Sequence, residues 1–106
     1  MNKLTIIGNL TKDPEFRTTA TGLSVCDFTV AVNRKKSQDG QPDADFFHVT
    51  AWRERGEVCA KYLAKGRKVC VIGPVSVRTY TGNDNVTRAI LEVQADEVEF
   101  LSAAER

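Results

Sequence analysis

Residues 45–66 read DFFHVTAWRERGEVCAKYLAKG, and the period of their hydrophobic pattern changes partway along. Over residues 45–53 the side chains alternate with a period of two, which predicts a β-strand with two distinct faces. Over residues 55–65 the apolar side chains instead recur at helical spacing, at Val58, Cys59, Tyr62 and Leu63. Gly66 then stands where a glycine commonly ends a helix. The segment therefore predicts a strand followed by one short helix.

Four more strands are predicted around this unit. Two precede it and two follow it, at residues 4–10, 25–33, 68–80 and 86–100. In the last of them the apolar positions shift from odd to even near Asp96, which indicates a bulge. The polar segment at residues 34–44 predicts a long hairpin loop. Three strands, a helix and two strands predict an all-β OB-fold: a five-stranded Greek-key barrel with one short helix between strands 3 and 4.

The alternation also predicts which side chains point away from the core. On the strand at residues 45–53 the core set is Phe47, Val49 and Ala51, and the outward set is Phe46, His48, Thr50 and Trp52. On the strand at residues 68–80 the core set is Val69, Val71, Val75 and Val77, and the outward set is Ser76, Arg78 and Tyr80. Exposed rings among basic side chains suit unpaired nucleic acid, because bases stack on the rings while Lys and Arg attract phosphates.

Each candidate has an alternative interpretation that the residues leave open. Trp52, as a lone tryptophan, could pack in the core or under the helix, and Tyr80 could be an edge residue anchored by its hydroxyl. His48 suits a hydrogen bond or a phosphate contact better than metal ligation or catalysis, since the sequence names no partner for it. The basic run Arg34, Lys35 and Lys36 opens the long loop, where it could clasp a backbone or simply be solvated.

Composition restricts the remaining possibilities. The net charge of +1 gives no general attraction for a polyanion, so any such binding depends on local charge. Cys26, Cys59 and Cys70 are scattered singly, which predicts core residues in a reducing compartment and neither a metal site nor another cofactor site. The amino terminus lacks the long apolar run of a signal peptide or membrane span, so we expect a cytoplasmic protein with no membrane partner, nucleoid-associated if it binds DNA.

Taken together and in order, the motifs resemble those of bacterial single-stranded DNA-binding proteins, over nearly the whole chain. The matching segments are residues 1–10, 13–17, 21–22, 28–34, 45–52, 62–66, 71–73, 78–80 and 95–101. The resemblance implies an OB-fold domain at residues 1–102 that binds and protects single-stranded DNA during replication, recombination and repair. It implies that Phe46, Trp52 and Tyr80 occupy the family's stacking positions. It also places basic residues near the DNA path, at Lys3, Arg17, Arg34, Lys65 and Arg78.

The resemblance further implies a homo-oligomer, typically a tetramer assembled through the first strand. Two departures stand out. Where many members place an aromatic early in the long loop, this chain has Arg34, Lys35 and Lys36. Residues 103–106 form a short remnant without the acidic tip that recruits replication and repair proteins, so such partners are expected only if a tip lies beyond this chain.

Three other functions compete with this interpretation. A related primosome subunit would share the barrel but would mainly dock a helicase, binding bare strands feebly as a dimer. A cold-shock-like protein would prefer RNA, through its 2′-hydroxyl groups. An enzyme is the least supported, because no nucleophile elbow, P-loop, zinc spacing or paired carboxylate site is present in the sequence.

Overall fold

The structure is a computed structural model that describes residues 1–34 and 43–102. Its strands are β1 Leu4–Leu10, β2 Glu15–Thr18, β3 Ser24–Asn33, β4 Ala44–Trp52, β5 Lys68–Gly73, β6 Val75–Thr81, β7 Thr87–Gln94 and β8 Glu97–Phe100. One helix, α1 Arg53–Tyr62, lies between β4 and β5. The tip of the predicted loop, residues 35–42, and the C-terminal remnant, residues 103–106, lie outside the described residues.

The strands form one sheet in the order β6-β7-β4-β3-β1-β5-β8, with β2 paired to β3. β4 and β7 run parallel, and the other pairings in the described part are antiparallel. Only Ala95 and Asp96 separate β7 from β8, so one run of chain pairs first with β4 and then with β5. The Asp96 N–H donates to the Ile72 carbonyl at 2.8 Å, tying this corner to β5. The sheet therefore curls on itself, and the predicted OB-fold barrel is confirmed.

The count of strands is a correction, since the described residues contain eight strands where five were predicted. Two predicted strands each bend and split: one divides at Pro74 into β5 and β6, and the other divides near Asp96, where the shift in apolar positions had indicated a bulge. The short strand β2 is the third addition. A Cβ atom on Gly73 would overlap the carbonyl oxygen of Gln94, so the first bend requires glycine. Long curved strands are what a small barrel needs in order to turn its corners.

The core lies inside the curl of the sheet and contains mainly valines with other small and medium apolar residues. Its largest fully buried side chains are Val25, Val30, Val49, Val69, Val71, Val93, Cys26 and Cys59. The three cysteines are free and buried, as the sequence predicts. Helix α1 approaches the barrel closely at Gly56, where a Cβ atom would collide with the carbonyl oxygen of Ala51.

Helix α1 differs from its prediction in both of its ends and in how much of its apolar stripe is buried. It begins at Arg53 and ends at Tyr62, and Leu63 follows in an extended conformation. Gly66 is therefore not the glycine that ends the helix; it lies in the following turn, with φ +86°. Of the predicted apolar stripe, Val58 is 42% and Tyr62 50% exposed. The other two members of the stripe, Cys59 and Leu63, are buried as predicted, so the part of the stripe that faces the core is narrower than expected.

Val77 is a second correction, because it was predicted to lie in the core and is 59% exposed. From Ser76 onward every residue of β6 is exposed on both faces. The hairpin of β6 and β7 extends beyond the core, so within residues 1–34 and 43–102 no side chain buries the inward side of β6 after Val75. The burial of Val77 depends on where the barrel ends, and the alternation of apolar residues along the strand does not contain that information.

Candidate nucleic-acid interface

Strands β3, β4, β7 and β6 lie side by side and share one outward surface. Directly opposite residues on paired strands point to the same side of a sheet, and the register pairs His48 with Glu92 across β4 and β7. On β6 and β7 it pairs Arg78 with Ile90 and Tyr80 with Arg88. We call this surface the aromatic face and define it by Phe46, His48, Trp52, Arg78, Tyr80 and Arg88.

The three predicted rings lie at the protein surface. Phe46 is 58%, Tyr80 43% and Trp52 37% exposed. Phe46 and Trp52 are six residues apart on β4, which corresponds to about 20 Å along the strand. Tyr80 lies two strands away, on the far side of β7. The rings are therefore spaced across the face and are accessible to a ligand, and their role in stacking stays a prediction.

A shallow pocket of about 270 Å³ joins several of the predicted site residues. It is lined by Thr29, Phe46, His48, Arg78, Ala89 and Ile90. Strand β7 supplies the floor between β4 and β6. Phe46, His48 and Arg78, which are far apart in sequence, are thus brought to one place that offers a ring, an imidazole and a guanidinium.

Trp52 stands at the edge of the aromatic face, where β4 meets α1. Its indole Nε1 donates a hydrogen bond of 2.9 Å to the Oε1 of Gln94 on β7. The same ring lines a cavity of about 480 Å³ that continues towards Val58 and Phe100. The partial exposure of Trp52 does not support the alternative that it is a core residue.

Four arginines on or near the aromatic face are each paired with a carboxylate. The pairs are Arg17 with Asp27 at 2.9 Å, Arg34 with Asp45 at 2.7 Å, Arg78 with Glu92 at 2.9 Å and Arg88 with Asp84 at 2.7 Å. Hydrogen bonding to Asp45 raises the pKa of Arg34 above its ordinary value, and hydrogen bonding to Asp84 does the same for the pKa of Arg88. The arginine charge on the aromatic face is thus largely compensated by carboxylates of the same chain.

Asp27 is the most enclosed of these carboxylates, with 14% of its side chain exposed. Its Oδ2 accepts from Arg17, and its Oδ1 accepts from the Thr50 hydroxyl at 3.1 Å. His48 Nε2 lies 3.9 Å from the same Oδ1. Thr50, which the alternation assigns to the outward set, is only 9% exposed. It does point outward, but its bond to Asp27 keeps it within a covered polar cluster.

The remaining basic candidates lie apart from the pocket. Lys3 precedes β1 and Lys65 follows α1; both are exposed, and the Lys65 N–H donates to Asp13 Oδ1 at 2.9 Å. Arg34 lies at the end of β3, beside Asp45. Lys35 and Lys36 lie outside the described residues.

Sequence reasoning missed Arg88 and Gln94 as members of this region. Both occupy even positions in the predicted strand at residues 86–100, opposite in parity to the apolar Ala89, Leu91 and Val93. That parity was available as a signal for an outward position. The hydrogen bond between Gln94 and Trp52 could not be predicted in this way, because it depends on the parallel pairing of β4 with β7.

Two further features of the described residues bear on the kind of site. Within residues 1–34 and 43–102, no three or more His, Cys, Asp or Glu side chains are grouped so that they could hold a metal ion. No helix in the same part of the chain is long and apolar enough to cross a membrane. The OB-fold and its surface of spaced rings and arginines define a barrel of the class that binds single-stranded nucleic acid.

Comparison with known proteins agrees with that class. Residues 1–101 match the Single-strand binding protein family. The chain is 42% identical over 102 residues to Single-stranded DNA-binding protein 3 of Clostridium acetobutylicum, covering 95% of this chain and 71% of that one. It is 43% identical to the Single-stranded DNA-binding protein of Clostridium tetani, covering 95% and 70%, and 41% identical to that of Halalkalibacterium halodurans, covering 95% and 61%. The chain belongs to the Single-strand binding protein family.

Proposed function

We propose that residues 1–102 form a domain that binds single-stranded DNA with little regard to sequence and performs no catalysis on it. The observation that carries this proposal is the exposure of Phe46, Trp52 and Tyr80 on one surface of the barrel. Membership of the Single-strand binding protein family supports the same conclusion. By protecting exposed strands, the protein would serve DNA replication, recombination and repair in the cytoplasm, at the nucleoid.

In the proposed mechanism the rings supply affinity and the cations supply orientation. Each stacked base contributes about 1–3 kcal/mol, and every base has a π-face, so stacking tolerates any sequence. A base on Phe46 would lie beside His48 and Arg78 in the shared pocket. Phosphates would follow the arginines, with Lys3, Lys35, Lys36 and Lys65 contributing charge along the path of the strand.

We propose further that the protein acts as a homotetramer assembled through β1. Ile7 is 49% exposed on the outer side of β1, directly opposite Cys70 of β5. Burying such an apolar side chain between subunits is favourable. Several linked sites would then hold one strand more tightly than any single site could. Sedimentation equilibrium of the wild type would report a tetramer, whereas a monomer at micromolar concentration would contradict this part of the proposal.

The function is tested by the anisotropy of labelled oligo-dT titrated with the protein at two salt concentrations. We expect tight binding that weakens with salt, with a slope of about −0.7 for each phosphate neutralised. Duplex DNA of the same length should compete poorly, because its bases are not free to stack. Oligo-rU tests the RNA alternative: competition stronger than that of oligo-dT would contradict the proposal, since 2′-hydroxyl contacts would then matter.

A further inference from the structure

Two arginines next to the proposed DNA path are held by carboxylates that remain exposed to solvent. Both the Nε and the Nη2 of Arg34 donate to Asp45 Oδ1, at 3.1 and 2.7 Å. The Nε of Arg78 donates to Glu92 Oε2 at 2.9 Å. The side chain of Asp45 is 44% exposed and that of Glu92 26%. A phosphate approaching either guanidinium therefore meets a carboxylate already bound to it.

We propose that Asp45 and Glu92 limit the affinity for single-stranded DNA by competing with phosphate for Arg34 and Arg78. This inference rests on the proposed function. Carboxylate and phosphate oxygens accept hydrogen bonds from the same edges of a guanidinium. A bound phosphate must displace the carboxylate or lie beside a like charge. In either case the protein binds DNA less tightly than its arginines alone would allow.

The other two ion pairs of the region do not fit this role. Asp27 also accepts the Thr50 hydroxyl and is nearly enclosed, so it joins β2, β3 and β4 together. Asp84 accepts the backbone N–H of Val86 at 3.1 Å, as expected for a residue that builds the turn between β6 and β7. Within the described part of the chain, the hydrogen bonds of the Asp45 and Glu92 carboxylates are to arginine.

Exposed ion pairs of this kind are weak, which makes exchange with phosphate practicable. A dry, enclosed pair would resist exchange, because separating it would leave a buried charge. The weak pairs would also keep the arginines compensated while DNA is absent, in accordance with the net charge of +1. The competing carboxylates would thus favour rapid release and repositioning over maximal affinity.

The test compares Asp45→Asn and Glu92→Gln with the wild type in binding to labelled oligo-dT at low and high salt. Each substitution keeps the shape of the side chain and removes its charge. We expect each variant to bind about two- to fivefold more tightly at low salt. The gain should shrink as salt screens the charges. Thermal unfolding of both variants confirms that the fold is retained.

The matched control is Glu99→Gln, which changes net charge by the same amount on β8, a strand that pairs with β5 and not with the strands of the aromatic face. Its affinity should stay near that of the wild type. A gain equal to that of Glu92→Gln would overturn the inference, because net charge alone would explain it. Weaker binding by Asp45→Asn and Glu92→Gln would also overturn it, by showing that the carboxylates position the arginines.

The dependence on the guanidinium is tested by Glu92→Gln in an Arg78→Gln background. Most of the gain should disappear there, because the competition acts through Arg78. A full gain in that background would contradict the inference. Failure of the wild type to bind oligo-dT would overturn the proposed function and this inference with it, whereas a binding wild type with unimproved variants overturns this inference alone.

Discussion

The Nε1 of Trp52 donates a 2.9 Å hydrogen bond to the Oε1 of Gln94 across the parallel pair β4 and β7. The edge of the ring is therefore held by a hydrogen bond, while the residue as a whole remains 37% exposed. A side chain that is ordered before binding loses less conformational entropy when a ligand arrives. The hydrogen bond thus preorganises the Trp52 ring for stacking with a base.

Removing this hydrogen bond should weaken DNA binding without unfolding the barrel. Gln94→Met keeps the length of the side chain and loses the acceptor. We expect about two- to tenfold weaker binding of oligo-dT, corresponding to about 0.5–1.5 kcal/mol for one hydrogen bond. In a Trp52→Phe background, which lacks the indole N–H, Gln94→Met should have no further effect. A loss of the same size in both backgrounds would contradict the role assigned to the bond.

The exposed rings of the aromatic face should matter for binding more than for folding. Phe46→Ala and Tyr80→Ala should each lose about 1–3 kcal/mol of binding free energy, with small changes in Tm. Tyr80→Phe should retain most of the affinity, because stacking does not need the hydroxyl. Tyr62→Ala is the matched control, since Tyr62 is 50% exposed on α1, off the aromatic face. If Tyr62→Ala weakens binding as much as Tyr80→Ala, the assigned face is wrong.

The bend between β5 and β6 should be intolerant of any side chain at Gly73. A Cβ atom there would overlap the carbonyl oxygen of Gln94, so Gly73→Ala must displace the backbone. Overpacking of this kind destabilises by about 1–3 kcal/mol. Urea unfolding measures the change, with the exposed Ser76→Ala as the control. Equal stability of Gly73→Ala and the wild type would show that the corner is looser than the structure indicates.

The buried cysteines should make the stability fall at high pH. Burial is the main cause that raises the pKa of Cys26 to about 11 and that of Cys59 to about 12. In the unfolded chain a thiol ionises near pH 8.5. Because the unfolded state loses these protons first, the stabilisation is complete below about pH 8.5 and is lost progressively as pH rises through the folded-state pKa values.

Urea unfolding of the wild type and Cys59→Ala at mildly basic and strongly basic pH measures this effect. The wild type should lose more stability over that interval than the variant does, by at most about 1.4 kcal/mol per pH unit for one thiol. Parallel losses in both proteins would assign the pH dependence to other groups.

The sequence predicted the regular strands closely and the irregular ones only partly. β1 has its predicted bounds, because turn residues follow its apolar run. β3 and β4 differ from their predicted bounds by one residue, because unbroken alternation defines both the strand and its two faces. The bend at Pro74 and the exposure of Val77 were missed, since both depend on where the barrel turns and ends. The Asp45 and Glu92 contacts depend on cross-strand register, which a linear pattern does not contain.

The central claim, that a base stacks on the aromatic face, is tested most directly by the emission of Trp52, the single tryptophan of the chain. Wild-type protein is titrated with oligo-dT while intrinsic fluorescence and the anisotropy of the labelled strand are followed together. We expect strong quenching that saturates together with the anisotropy. Unchanged tryptophan emission from protein that has fully bound the strand would contradict stacking at Trp52.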